Sequence, residues 1–164
     1  MKNKELIYWA DLTGPAVLDE IVRLTIMDTN NNVLFNHTFN TRLVDWWYSD
    51  LNGISPDATY NEKLFSEYKD EIQSIFNDTS KLITFNSSTF FLEKQGINLS
   101  NKQIDDLADP FRVTGDENDT IDNLCAYYGY PLSDNIYSRT GIDYTRAINY
   151  CFHEMENYRK AQGN

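Results

Sequence analysis

Apolar residues run unbroken through positions 6–10, Leu-Ile-Tyr-Trp-Ala, between Lys4-Glu5 and Thr13-Gly14-Pro15. A short continuous apolar run bounded by charged and turn-forming residues predicts a central strand covered on both faces. Positions 21–28 and 33–40 flank the turn-forming run Asn30-Asn31-Asn32, and Val33, Phe35, His37 and Phe39 alternate with polar or smaller residues. That period of two predicts a β-hairpin. Residues 81–85 predict another short strand, handing over to Asn86, and one more is expected near 111–114.

Helical spacing governs the rest. Thr59-Tyr60-Asn61-Glu62 has a capping-box pattern, and Leu64, Phe65, Tyr68, Ile72, Ile75 and Phe76 follow at helical intervals. Ile121, Leu124, Cys125 and Tyr128 make one apolar face that stops at Gly129, a natural C-terminal cap. Tyr144, Ala147, Ile148, Cys151, Phe152 and Met155 form the clearest stripe, with a charged end at 154–160. Helices separated by strands in this order predict an α/β fold, a mixed central β-sheet flanked by α-helices. No repeat or long linker divides the 164 residues, so 1–164 reads as a single domain. Ligands of such sheets collect beyond the carboxyl ends of central strands, where Asp11 and Asn86 fall.

With 9 Phe, 11 Tyr and 3 Trp in a chain that is 41% hydrophobic, a wholly disordered protein is excluded. The net charge of −11 weighs against a general affinity for nucleic acid, which comes mostly from Lys and Arg displacing counterions. Lys81, Lys94, Arg139 and Arg146 are the candidates for a local basic cluster near the strand ends. The apolar run after residues 1–5 is too short for a signal-peptide core or a membrane span, which leads to the expectation of a soluble cytoplasmic protein with no membrane partner. Cys125 and Cys151 lack metal-ligand spacing and sit among apolar neighbours, so buried reduced thiols are expected. Asn-x-Ser/Thr sequons at Asn36, Asn77, Asn86, Asn98 and Asn118 read as chance in an Asn-rich chain.

These landmarks, taken in order along nearly the whole chain, resemble the DEDDh exonucleases, proofreading-type 3′-to-5′ exonucleases of ribonuclease H-like fold. Tyr8-Trp9-Ala10-Asp11-Leu12-Thr13-Gly14 resembles the family's first strand ending in D-x-E-T-T-G, and Asp19 to Leu24 is similar to the following "DEIIEI" strand. Asn52-Gly53-Ile54-Ser55 looks like the "HGIT" turn, and Leu82 to Asn86 resembles the strand before "HN-x-x-FD". Leu124-Cys125 with Tyr128-Gly129 is similar to "LC-x-x-x-G", and 143–155 resembles the final helix that carries the last catalytic Asp.

The resemblance implies two-metal phosphodiester hydrolysis, in which four carboxylates hold Mg or Mn ions and a His acts as general base. Little of that set is kept here. In the first motif one carboxylate survives of two: aligning on Asp11-Leu12 removes the Glu, and aligning on Thr13-Gly14 makes Asp11 the Glu equivalent and Trp9 the lost Asp. Counting from Asn86 puts the second Asp at Phe90, and counting back from Asp143 puts the His at Ser138. Only Asp11 and Asp143 match the family's catalytic positions, enough for at most one weakly held ion.

Each candidate also has a plain structural reading. Asp11 could be a solvated turn carboxylate, and Asp143 completes a capping-box-like Thr140-x-x-Asp143. His37 on a hairpin strand and His153 far along the last helix read as structural. Glu93, one helical turn beyond Phe90, reads as a solvated helix-face residue, and Ser138 has no evident His and acid partner. Trp46 and Trp47, before Asn52, could stack on an unpaired base, although burial over the hairpin is favoured. The reading that follows is a catalytically impaired exonuclease-like domain acting as a nucleic-acid-processing or assembly module, with a single-stranded nucleic acid end or a protein as partner. The alternatives are a divergent active exonuclease using Mg or Mn through Asp11 and Asp143, and an acidic structural partner protein without nucleic-acid binding.

Overall fold

The uninterrupted apolar run predicted as a central strand lies at the middle of a five-stranded sheet in the computed structural model, which describes residues 4–43, 46–112 and 120–163. In chain order the elements are β1 (Glu5–Leu12), β2 (Ile21–Asp28), β3 (Val33–Thr38), α1 (Ser49–Asn52), α2 (Pro56–Thr59), α3 (Lys69–Asn77), β4 (Lys81–Thr84), α4 (Phe90–Lys94), β5 (Gln103–Asp106), α5 (Ala108–Arg112), α6 (Ile121–Tyr128) and α7 (Gly141–Ala161). Short 3₁₀ turns lie at Phe65–Glu67 and Ile136–Ser138. The strand order is β3-β2-β1-β4-β5; β1 pairs antiparallel with β2, β2 antiparallel with β3, and β1-β4 and β4-β5 are parallel.

Alternation along β1 supplies two cores. Ile7 and Trp9 face α6 and α7, packing with Met27, Ile83, Leu124, Ala147 and Cys151, whereas Leu6, Tyr8 and Ala10 face Ile26, Phe35, Ile72, Phe76 and Phe91. Cys125 and Cys151 are both buried free thiols on the α6–α7 side. The β2–β3 turn is held by Asp28, whose carboxylate accepts the N–H groups of Asn30 and Asn32 and the Asn32 amide. Burial opposes ionisation of Asp28, but those hydrogen bonds outweigh it and hold its carboxyl below the usual range. Among the described residues no helix is long and apolar enough to cross a membrane.

The last helix lies close on the sheet because its first residue is glycine. A Cβ on Gly141 would stand 1.8 Å from Thr25 Oγ1 on β2, so no side chain fits there. Thr140 accepts the Asp143 N–H in a capping box, which starts α7 at the carboxyl end of β1.

Three sequence expectations are corrected. The helix expected to start at Thr59 starts at Lys69: Pro56 opens a separate short helix that Thr59 closes, and the chain then pairs Leu64 with Asn40 before turning into α3. The hairpin's second strand ends at Thr38, with Asn40 making only that isolated bridge. The last strand is Gln103–Asp106 and not 111–114; Phe111 belongs to α5, and 113 and 114 lie outside the described residues. An edge strand that reads Gln-Ile-Asp-Asp and stays partly exposed carries no hydrophobic signal to find it by.

Candidate functional site

Asp11, one residue before the end of β1, faces its antiparallel partner Arg23 on β2. Directly opposed residues bring their side chains together, and Arg23 Nε donates to Asp11 Oδ2 at 2.6 Å. Trp9 Nε1 donates to Oδ1 at 2.9 Å, so both carboxylate oxygens are engaged from within the protein. Asp11 is 4% exposed. Burial pushes its carboxyl above the usual range, against the pull of the Arg23 charge and of the hydrogen bonds from Trp9 and Arg23.

The pair extends into a network. Arg23 Nη1 donates to the Arg139 carbonyl at 3.3 Å, Arg139 Nε donates to the Ser133 carbonyl at 2.6 Å, and Arg139 Nη2 donates to Asp122 Oδ1 at 2.7 Å. Tyr144, in the first turns of α7, stacks on Trp9 with ring centroids 4.2 Å apart and planes 8° from parallel. The Arg23 and Arg139 guanidinium carbons lie 6.0 and 5.7 Å from the Tyr144 ring centre, within cation–π range. Burial pushes the Tyr144 phenol upward, and a hydrogen bond with Arg139 opposes the shift.

Trp9, Asp11, Asp122, Arg139 and Tyr144 form one wall of a cleft of about 480 Å³ at the carboxyl ends of β1 and β4, with Arg23 behind them. Asn86 lines it with Ser87 and Ser88, as do Tyr48, Asp50, Leu51 and Asn52 from the α1 region. Asn52 fixes that region to the sheet: its Nδ2 donates to the Leu12 carbonyl at 2.9 Å and its Oδ1 accepts the Ile54 N–H at 3.0 Å. Gly53 follows in the left-handed region, φ 74°, as the C-terminal cap of α1.

The structure brings Asp11, Asn86 and Arg139 into this cleft and places the other candidates elsewhere. Trp46 is buried against Val22 and Ile54, its Nε1 donating to the Ile54 carbonyl at 2.9 Å, which leaves its ring unable to receive a base. Trp47 is 83% exposed and does not line the cleft, although its neighbour Tyr48 does. Phe90 packs edge-on against Phe91, and Ser138 Oγ donates to the Asn135 carbonyl at 2.8 Å; neither lines the cleft. Asp143 Oδ2 accepts the Thr140 N–H at 2.7 Å and the Thr140 hydroxyl at 3.1 Å, the capping role, and the cleft lining passes from Arg139 to Tyr144 without it.

His37 stacks on Tyr68, His153 lies against the Thr29 carbonyl and Glu93 accepts the Thr89 hydroxyl, all structural arrangements. Of the four basic candidates only Arg139 reaches the cleft. Lys81 pairs with Glu5 and Asp105 at the opposite ends of the parallel strands, Lys94 donates to the Val17 and Asp19 carbonyls, and Arg146 lies beside Tyr150 and His153.

The donor set does not fit a divalent-metal pair. Asp11 is committed to Arg23 and Trp9 and Asp143 to Thr140, Asp122 gives one oxygen to Arg139, and Asp50 lines the cleft from α1. Among the described residues no three His, Cys, Asp or Glu side chains group as ligands for an ion. Arg23, which joins Asp11 to the segment before α7, is the residue of the site that sequence reasoning missed. The sequence shows one Arg within a mostly apolar strand, but not its partner; the structure buries all eight positions of β2, and Arg23 there meets Asp11. Tyr144 was assigned to a core stripe, and its stack on Trp9 follows only from the packing of α7 on β1.

No protein-family model matches the sequence, and no curated protein matches it. Solved structures match closely in shape. The product-bound structure of exonuclease I superposes with a TM-score of 0.71 at 13% identity, covering 96% of this chain and 44% of that one. The catalytic unit of Neurospora crassa Pan2, comprising protease and nuclease domains, gives 0.74 at 12% identity, covering 99% and 29%. A full-length 3′-exonuclease gives 0.70 at 14% identity, covering 95% and 82%. The chain thus spans less than half the length of the exonuclease I chains it matches. At these identities the likeness establishes architecture: a mixed five-stranded sheet with flanking helices, the ribonuclease H-like fold of the exonucleases.

Proposed function

We propose that this chain is a 3′-to-5′ exonuclease-like domain that holds the end of a single-stranded nucleic acid in the cleft and hydrolyses it very slowly or not at all. The observation that carries this reading is the closure of Asp11, the one buried carboxylate at the end of β1, by Arg23 and Trp9. Two-metal hydrolysis needs several free carboxylates to hold ions about 3.5–4 Å apart, and a base to activate water. Here Phe90 and Ser138 stand at the counted positions of an acid and of the base, and both lie away from the cleft.

What the cleft offers suits binding. Half-buried Tyr48 and Trp9 present aromatic edges to it, and Ser87 and Ser88 line it beside them. Stacking of a base on such rings is worth about 1–3 kcal/mol and tolerates any sequence. Exonuclease I, one of the structures of similar shape, is known in complex with single-stranded DNA, in a zinc-bound form. The test uses end-labelled single-stranded DNA and RNA with Mg²⁺ or Mn²⁺. Wild type should degrade them no faster than an Asp11→Ala, Asp143→Ala double variant, while retaining them in a binding assay. Robust cleavage that disappears in the variant would overturn the reading and establish a divergent active exonuclease.

A further inference from the structure

We infer that Arg23 is the cation around which this cleft is assembled, so that the cleft forms and binds its nucleic-acid end without any metal. The ligand class rests on the function proposed above; the role of Arg23 rests on the bonds it makes. In a two-metal site the ions draw together carboxylates from separate elements. In this chain a guanidinium does the joining.

Arg23 connects β1, through Asp11, to the segment leading into α7, through the Arg139 carbonyl 116 residues away in sequence. Arg139 in turn connects that segment to α6 through Asp122 and to the preceding loop through the Ser133 carbonyl. Both arginines are buried, at 9% and 7% exposure, and both lie near the Tyr144 ring. The elements joined are the ones that place Trp9, Arg139 and Tyr144 on the cleft wall.

The chemistry requires arginine in particular. A guanidinium presents divergent donors in a fixed plane, so Nε can serve Asp11 while Nη1 serves a carbonyl on another element. A lysine ammonium can neutralise Asp11 but lacks that fork. Arg23 Nη2 is buried and has no partner, so two bridging contacts hold the group instead of full hydrogen-bond satisfaction. The charges close within the network: Asp11 offsets Arg23, and Asp122 offsets Arg139. Asp11, the buried carboxylate of the network, has both oxygens taken, and Asp122 gives one of its two to Arg139.

The test measures amide hydrogen exchange over residues 133–145, and anisotropy of a labelled single-stranded oligonucleotide, for the full chain in EDTA and in Mn²⁺. Wild type should give the same exchange and the same affinity in both. Arg23→Gln should speed exchange in 133–145 by about tenfold or more, leave the second half of α7 protected, and weaken oligonucleotide binding. Arg23→Lys, which keeps the charge in case the Gln variant does not fold, should fail to restore either property. Exchange that slows in Mn²⁺, binding that requires Mn²⁺, or full rescue by Lys would overturn the inference. If no oligonucleotide binds in either buffer, the functional reading falls and takes metal-free binding with it, while the exchange data still decide whether Arg23 assembles the cleft.

Discussion

The two ends of β1 carry ion pairs in opposite settings. At its start Lys81 Nζ lies 3.0 Å from Glu5 and 3.5 Å from Asp105, with side chains 25%, 37% and 20% exposed. Near its end Arg23 meets Asp11 at 2.6 Å, with side chains 10% and 4% exposed. Exposed pairs contribute about 0–1 kcal/mol, because water already solvates both charges and screens their attraction. Burying two charges costs several kcal/mol per ion, which the mutual attraction barely offsets. Stability alone therefore accounts for the first pair and not for the second. The second lies where the sheet stops being a core and becomes the wall of a cleft.

Breaking the buried pair should have the largest effect. Arg23→Leu leaves Asp11 buried with a single donor and should cost about 3–5 kcal/mol in chemical denaturation, against about 1 kcal/mol or less for Lys81→Met. Adding Asp11→Leu to Arg23→Leu should recover most of that loss, since the uncompensated charge is gone. Equal costs for Arg23→Leu and Lys81→Met would erase the contrast between the two ends.

Trp9→Phe keeps an aromatic ring against Tyr144 but removes the donor to Asp11 Oδ1. A lost hydrogen bond to a buried charge should cost about 1.5–3 kcal/mol by the same measurement. Gly141→Ala probes the same end from the helix side. Its new methyl meets Thr25 Oγ1, so α7 must lift from β2, at about 1–3 kcal/mol and with loosening of the Trp9–Tyr144 stack visible in near-ultraviolet circular dichroism.

The smallest effect belongs to the exposed end and depends on pH. Burial lowers the Lys81 amine, but the hydrogen bond with Glu5 and the charges of Glu5 and Asp105 outweigh it and raise its pKa above the ordinary 10.5. A raised amine contributes stability that is complete below the unfolded-state value and is lost as pH rises through the folded-state value. Stability should therefore fall on the alkaline side more steeply in wild type than in Lys81→Met. Arg23→Leu should leave that alkaline slope unchanged, because a guanidinium does not titrate there.

The same contrast separates what the sequence discloses from what it hides. Patterns confined to one element were readable: the unbroken run of β1, the alternation around Asn30-Asn31-Asn32, and the stripes of α6 and α7. Asp11 and Asn86 were placed at a cleft because ligands collect at the ends of central strands. The Asp11–Arg23 pair was hidden because it depends on strand register, a relation between two segments that neither displays alone. β5 was hidden because an exposed edge strand need not be hydrophobic, and the start of α3 because the pairing of Leu64 with Asn40 overrides a local capping pattern.

The most direct measurement is a Mn²⁺ titration of the wild-type chain followed by electron paramagnetic resonance, beside an Asp11→Asn variant. With Asp11 held by Arg23 and Trp9, the two proteins should give the same isotherm, limited to weak association with the acidic surface. A stoichiometric Mn²⁺ site in wild type that disappears in Asp11→Asn would contradict it.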